Sequence, residues 1–134
     1  MSGPVLLVVA AALFDGEGRV LLAQRPEGKQ LAGLWEFPGG KLEPGETPEA
    51  ALVRELQEEL SITVNETALE PLTFASFAYP AFHLLMPLYG CRNWTGAMDP
   101  REGQAIAWVA PENLRQYKAP PADLPLFDWL AAKR

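Results

Sequence analysis

Gly40-Lys41-Leu42-Glu43-Pro44-Gly45-Glu46-Thr47-Pro48-Glu49-Ala50-Ala51-Leu52-Val53-Arg54-Glu55-Leu56-Gln57-Glu58-Glu59-Leu60-Ser61-Ile62 is the stretch from which the rest of the chain is read. A glycine turn leads into a helix. Thr47 is a good N-cap, Pro48 suits the first helical position and Glu49 suits the first turn. At about 100° per helical residue, Arg54, Glu58, Glu55 and Glu59 fall near 0°, 40°, 100° and 140°. Leu56, Leu60 and Val53 take the other side, so one face is apolar and one is crowded with acid. Like charges this close repel. A merely solvated face would mix its signs. Gathered carboxylates are what a hard divalent cation requires, and such a cation cancels the repulsion.

Composition narrows the partners. The chain has 134 residues, 49% hydrophobic and 21% charged, with a formal net charge of −6. That suits one globular domain with a real core, residues 1–134. The acidic balance argues against a nucleic-acid polymer, whose binding depends on Lys and Arg neutralising phosphates. A small nucleotide is still compatible, because a bound metal brings its own positive charge. Cys91 is the one cysteine, which fits a reducing compartment; it ends an apolar run and reads as a buried residue rather than a reactive thiol. Val5–Phe14 is apolar but too short to span a bilayer, and no Lys or Arg precedes it as in a signal peptide. A cytoplasmic protein without membrane contact is expected.

The elements follow in order. Val5–Phe14 reads as a central strand buried on both faces. Asp15-Gly16-Glu17-Gly18 is hairpin-type turn chemistry, with Arg19–Gln24 as the returning strand. Trp35-Glu36-Phe37 is a short extended piece ended by Pro38-Gly39-Gly40. After the helix, which runs to about Leu60, come strands over Leu72–Tyr79 and Ala81–Cys91, joined near Tyr79-Pro80, and a further strand over Gln104–Val109. A helical turn over Pro111–Arg115 and a terminal helix from Asp123 or Pro125 to Ala132 complete an α/β pattern.

The spacing of the opening stretch resembles the Nudix box, G-x5-E-x7-R-E-U-x-E-E-x-G-U with U aliphatic. Gly40, Glu46, Arg54, Glu55, Leu56, Glu58, Glu59 and Ile62 all fit; Ser61 replaces the last glycine. A glycine there serves a left-handed turn, so Ser61 should carry backbone strain on the order of 1 kcal/mol. Leu22-Ala-Gln-Arg25-Pro26, Gly33-Leu-Trp-Glu-Phe37-Pro-Gly39-Gly-Lys41 and Ala119-Pro-Pro-Ala-Asp123-Leu-Pro125 extend the resemblance to the MutT-like branch over nearly the whole chain. That branch holds 8-oxo-dGTP diphosphatases and the CTP/dCTP pyrophosphohydrolases.

The resemblance implies an α-β-α sandwich with a mixed β-sheet, and Mg²⁺- or Mn²⁺-dependent hydrolysis of a nucleoside triphosphate to monophosphate and pyrophosphate, with water attacking the β-phosphorus. It implies metal ligation by Glu55, Glu58, Glu59, Glu102 and the Gly39 carbonyl. Gly39 and Gly40 otherwise serve the turn alone. Glu55 is the first candidate for general base, and Glu102, in a matching Glu-Gly-Gln segment, the second. Arg54 would orient a carboxylate through a bidentate pair, or make a surface salt bridge. Glu46 would hold loop and box together or reach metal through water. Arg25 matches an arginine that contacts the phosphates, or is a strand-end charge. Phe37, and also Trp35, would line the base pocket or the core.

Asp123 matches the base-reading position, where one group of the branch has asparagine and the cytidine group aspartate; alternatively it caps the last helix. An ionised carboxylate only accepts, which suits the adjacent N1–H and N2–H of a guanine. A protonated one would suit cytosine, but only if burial raised its pKa. The lead substrate is 8-oxo-dGTP, for sanitation of the nucleotide pool that feeds DNA, with CTP, dCTP or an oxidised cytidine nucleotide as the alternative. A Nudix-fold binding domain without hydrolysis is the rival of another class; such domains typically lack box glutamates, which are all present here. The protein would act as a monomer or homodimer. His83, Trp94, Trp108 and Trp129 read as structural.

Overall fold

The computed structural model describes residues 3–133. Two sheets and two α-helices form the fold. The strands are β1 (Val5–Leu13), β2 (Val20–Gln24), β3 (Trp35–Glu36), β4 (Gly39–Lys41), β5 (Glu70–Ala78), β6 (His83–Cys91) and β7 (Ile106–Val109). The helices are α1 (Pro48–Leu60) and α2 (Leu124–Ala132). One sheet has the order β4-β1-β6-β5 and is mixed, with β1 parallel to β6 and antiparallel to β4. The other, β3-β2-β7, is antiparallel.

The expected β1–β2 hairpin therefore needs correcting. The turn is present: Asp15 accepts the Gly18 N–H at 3.0 Å through its carbonyl, and its carboxylate accepts those of Glu17 and Arg19. Only a single bridge, Phe14 to Val20, joins the two strands. Beyond it they diverge, because β2 takes its partners from the distant Trp35–Glu36 and Ile106–Val109.

The apolar run of β1 is divided by the two-residue period of a strand. Val9, Ala11 and Leu13 face Leu52, Leu56 and Leu60 of α1. Ala10 and Ala12 belong to the opposite core with Leu126, Phe127 and Leu130 of α2. The same period sends Leu21 to the first core and Val20 and Leu22 to the second. Helices thus cover both faces, as the α-β-α arrangement requires, and β1 carries α1 and the glycine turn in fixed relation. Small side chains at Ala10, Ala11 and Ala12 let both layers approach.

Helix α1 ends as its sequence dictates. Thr47 Oγ1 accepts the Ala50 N–H at 3.1 Å, and Ser61 adopts φ 62°, ψ 24°, with its N–H on the Gln57 carbonyl at 3.1 Å. Ser61 therefore takes the left-handed conformation in place of glycine. Cys91 is buried, its thiol donating to the Asn93 carbonyl at 3.2 Å. His83 shares a 2.7 Å hydrogen bond with Ser76, and Trp94 stacks on Trp108. Among the described residues no helix is long and apolar enough to cross a membrane.

Candidate active site

The glycine turn brings β4 against α1. A Cβ at Gly40 would collide with the Glu55 carboxylate, and one at Gly39 with the Val9 carbonyl. Only glycine lets the backbone lie directly beneath that carboxylate and against β1 at once. Glu55, Glu59, Glu102 and Gly39 converge on one recess, with Arg25, Lys29 and Glu36 on its rim.

Glu102 reaches this recess because its loop is docked on the end of α1. The Arg101 N–H binds the Glu59 carbonyl and the Asp99 N–H the Leu60 carbonyl, both at 2.9 Å. Gln104 accepts the Glu102 N–H and donates to the Glu59 carbonyl. These bonds satisfy carbonyls that the helix end leaves open and set Glu102 opposite the helix.

The electrostatics are those of forced neighbours. Burial first, then a hydrogen bond to Glu55, then the negative charges of Glu55, Glu102 and Glu36 raise the Glu59 carboxyl far above the usual range. Among the described residues no three acidic, His or Cys side chains stand in closed ion-holding geometry; Glu59 is directed to Glu55, and Glu58 to Arg54. The donor set nevertheless fits a hard cation. It offers carboxylate oxygens and a backbone carbonyl, and a divalent charge would relieve the repulsion that now favours a proton on Glu59.

Arg54 sits behind these acids. Its Nε and Nη2 grip the two oxygens of Glu46 at 2.7 and 2.9 Å, Nη2 also reaches the Lys41 carbonyl, and Nη1 lies 3.4 Å from Glu55 and 3.3 Å from Glu58. Glu46 also accepts the Glu43 N–H at 2.8 Å. The Arg54 bond and that N–H hold its carboxyl down at about 2. Arg54 and Glu46 thus lock the loop to the helix. Glu58 is placed differently from its box partners: its side chain is 57% exposed and turned to Arg54, outside the recess.

A second recess adjoins the first. Leu6, Val8, Leu84 and Met86 form its apolar floor, with Tyr79, Phe82 and Leu31 at its sides and Asp123 among them. Asp123 stands just before α2 but its side chain makes no capping bond. It is turned inward and is only 5% exposed. Its Oδ2 accepts the Phe37 N–H at 3.4 Å. Burial, reinforced by the charge of Glu36, raises its pKa to about 8. The Phe37 ring is not in this recess: it packs edge-on against Phe127 in the core, and only its backbone faces Asp123. Trp35 likewise packs on Tyr117.

Arg25, directly after β2, donates from Nε to the Gln30 carbonyl at 2.6 Å and from Nη1 to Glu36 Oε2 at 2.9 Å. Glu36 lines both recesses. Sequence reading missed Glu36 and Tyr79. The one available signal was an acid set inside an aromatic run, Trp35-Glu36-Phe37. A wider groove bounded by Phe14, Arg92, Trp129 and Lys133 contains none of the box residues.

A NUDIX domain family profile matches residues 9–129. The CTP pyrophosphohydrolase of Escherichia coli (strain K12) is 40% identical over 131 residues, covering 96% of this chain and 94% of that protein. The 8-oxo-dGTP diphosphatase of Haemophilus influenzae is 39% identical over 127 residues, covering 95% and 92%. A solved MutT structure, from work on the proteins of Aliivibrio salmonicida and Vibrio cholerae, superposes with a TM-score of 0.82 at 34% identity, covering 97% and 99%. With box, fold and likeness agreeing over nearly its full length, the chain belongs to the NUDIX domain family, in its MutT-like branch.

Proposed function

We propose that the protein is a divalent-metal-dependent pyrophosphohydrolase of cytidine nucleoside triphosphates, releasing the monophosphate and pyrophosphate. Asp123 carries this reading. Its carboxyl is buried, and burial pushes its pKa up to about 8, so near neutral pH it is an acid with one donor and one acceptor side. With the Phe37 N–H on Oδ2, Oδ2 is the carbonyl-like oxygen and Oδ1 bears the proton. Cytosine presents the matching pair, an N4 amine that donates and an N3 that accepts. A guanine-type base can also meet a neutral acid through O6 and N1–H, but its N2 amine then needs a further acceptor in a recess that is mostly apolar. The likeness to the E. coli CTP pyrophosphohydrolase supports the same reading.

Phosphates extending from such a base meet the first recess. Glu55, Glu59, Glu102 and the Gly39 carbonyl would hold Mg²⁺ or Mn²⁺ there, with Glu58 close by. A bound cation supplies charge for the phosphate oxygens and lowers the pKa of water. Glu55, set beneath the glycine turn and beside Arg54, is positioned to take a proton from an attacking water, with Glu102 facing it across the recess. Arg25 on the rim offers a guanidinium to the phosphates.

Hydrolysis of 8-oxo-dGTP is the second reading, supported by likeness to the H. influenzae diphosphatase. The deciding test is a panel of CTP, dCTP, dGTP and 8-oxo-dGTP ranked by kcat/KM with Mg²⁺. Cytidine nucleotides at the top support the proposal, 8-oxo-dGTP at the top replaces it with the second reading, and binding without pyrophosphate release marks a binding domain.

A further inference from the structure

Helix α1 covers only part of the sheet face on which it packs. Val9, Ala11 and Leu13 of β1 and Tyr89 and Cys91 of β6 lie in the core beneath it. Side chains alternate along a strand, so Val5, Leu7, Leu85 and Pro87 share that face. Ala75 of β5 packs in the opposite core, which turns Phe74 and Ser76 to this side too. The register places Leu7 beside Leu85, Leu85 beside Ser76 and Pro87 beside Phe74. Val5, Leu7, Phe74, Leu85 and Pro87 belong to neither core. Val5 and Phe74, 65% and 63% exposed, are the two most exposed large hydrophobic side chains among the described residues. Three strands and about five residues along each give roughly 14 by 17 Å of sheet. Contiguous apolar surface of this kind marks an interaction site, whereas scattered single hydrophobics do not. The polar groups within and beside it are already paired: His83 and Ser76 share a 2.7 Å hydrogen bond, and the Tyr89 hydroxyl donates to Glu49 at 2.9 Å at the border with α1.

Charge selects the occupant. Asp, Glu, Lys and Arg are absent from 3–14 and from 71–91, in a chain of net charge −6. Two copies repel wherever their acidic surfaces meet, and an uncharged face brings them together without that cost. An uncharged apolar face is also complementary to itself, as a two-fold contact demands. An anionic lipid surface would repel the chain. β5 is the outer strand of its sheet, and 73–78 carries none of the charges that usually guard an exposed edge. We propose that this face is the contact between two copies of the chain, related by a two-fold axis beside β5, with Phe74 of each copy packed on the same face of the other. Leu6, Val8, Leu84 and Met86 point from the opposite side of β1 and β6 into the base recess, so the contact leaves that recess open. The area is at the low end for specific interfaces, and the dimer should be weak and reversible.

The test is sedimentation equilibrium from about 1 µM to about 1 mM, on wild type, Phe74→Glu, Val5→Glu and Gln116→Glu, with circular dichroism to confirm that each is folded. Phe74 and Val5 are exposed, so their replacement should leave the fold intact. Wild type should pass from monomer to dimer as concentration rises. Phe74→Glu and Val5→Glu should raise the dimer dissociation constant at least about ten-fold, because like charges then meet across the axis. Gln116→Glu adds the same charge at an exposed position away from this face and should leave dimerisation unchanged. Wild type that stays monomeric at the highest concentration overturns the proposal. So does a dimer that survives both face variants, or one that the Gln116 control weakens as much. Monomeric wild type that floats with neutral phosphatidylcholine vesicles would mean that the face meets lipid rather than a second copy, and equally overturns it.

Discussion

Arg54 holds both carboxylate oxygens of Glu46, at 2.7 and 2.9 Å, across an eight-residue separation that takes in the Thr47 cap and the first two turns of α1. The pair is a clasp between loop and helix. Its further contacts to Glu55 and Glu58 pass its position on to the acids. A flat bidentate fork does this, and a lysine cannot reproduce it.

Replacing Arg54 by Lys, or Glu46 by Gln, should therefore lower kcat by about 10- to 100-fold, the usual effect of losing a group that orients metal ligands. Secondary structure should persist. Circular dichroism together with steady-state kinetics would check this; full activity in both variants would remove Arg54 from the machinery. The depressed pKa of Glu46 sets the sign with pH. Its stabilising contribution is present above the unfolded carboxylate value and disappears as pH falls through about 2.

Glu55 and Glu59 carry the metal argument. Glu55→Gln should cut kcat by about 10²- to 10⁴-fold, as for loss of a general base or an essential ligand. Glu59→Gln removes a buried acid that its neighbours push towards protonation, so it should weaken Mn²⁺ binding while leaving the cation-free fold as stable or more so. Chelation should abolish turnover, and Mg²⁺ or Mn²⁺ should restore it. Isothermal titration with Mn²⁺ separates binding from chemistry; undiminished Mn²⁺ affinity in both variants would contradict the assignment.

Much of α1 was legible because its signals are local: the Thr47 cap, Pro48, the helical spacing of charge and the left-handed end at Ser61. The two-faced burial of β1 was legible from its unbroken apolar run. What escaped was long-range. The divergence of β1 and β2 depends on strands that come later in the chain. On a helical wheel Glu58 and Glu59 both lie on the acidic face, but Glu59 is covered by the 99–104 loop and Glu58 is not. The sequence leaves Phe37 between base pocket and core; its ring takes the core because α2 supplies Phe127 for it to pack against. The neutrality of Asp123 was invisible, since it arises from burial among groups contributed by β1, β3, β6 and the Tyr79 turn.

Ser61 offers a test of stored strain. Its φ of 62° costs an L-residue about 1 kcal/mol, and among the described residues no hydrogen bond from its side chain offsets this. Glycine removes the clash but gains freedom when unfolded. Ser61→Gly should thus stabilise by on the order of 0.5 kcal/mol, a Tm rise of roughly 2 °C for a chain of this length. Calorimetry would show it, and a lower Tm would mean that the serine side chain contributes more than the backbone loses. Activity should be little changed, because Ser61 does not line the recess that Glu55, Glu59 and Glu102 form.

Asp123 gives the sharpest pH signature. Its folded pKa is raised by burial to about 8, far above the usual carboxylate range, so the folded protein keeps a proton that the unfolded chain has released. Stability from this group is undiminished below the unfolded value and declines as pH climbs towards about 8. Asp123→Asn keeps the shape and both hydrogen-bonding roles without a proton to lose, so its stability should fall less between pH 5 and pH 8 (roughly the window between the two values). Binding follows the same logic. A neutral acid that reads cytosine loses affinity as pH passes through its pKa, and the asparagine variant should retain cytidine-nucleotide affinity there. A carboxylate that reads N1–H and N2–H of a guanine predicts the reverse, with tighter binding as pH rises and a large loss in Asn. Measuring Kd for a non-hydrolysable CTP analogue from pH 6 to pH 9.5, in wild type and Asp123→Asn, separates the two; wild-type affinity that increases with pH would reject the cytosine pairing at this residue.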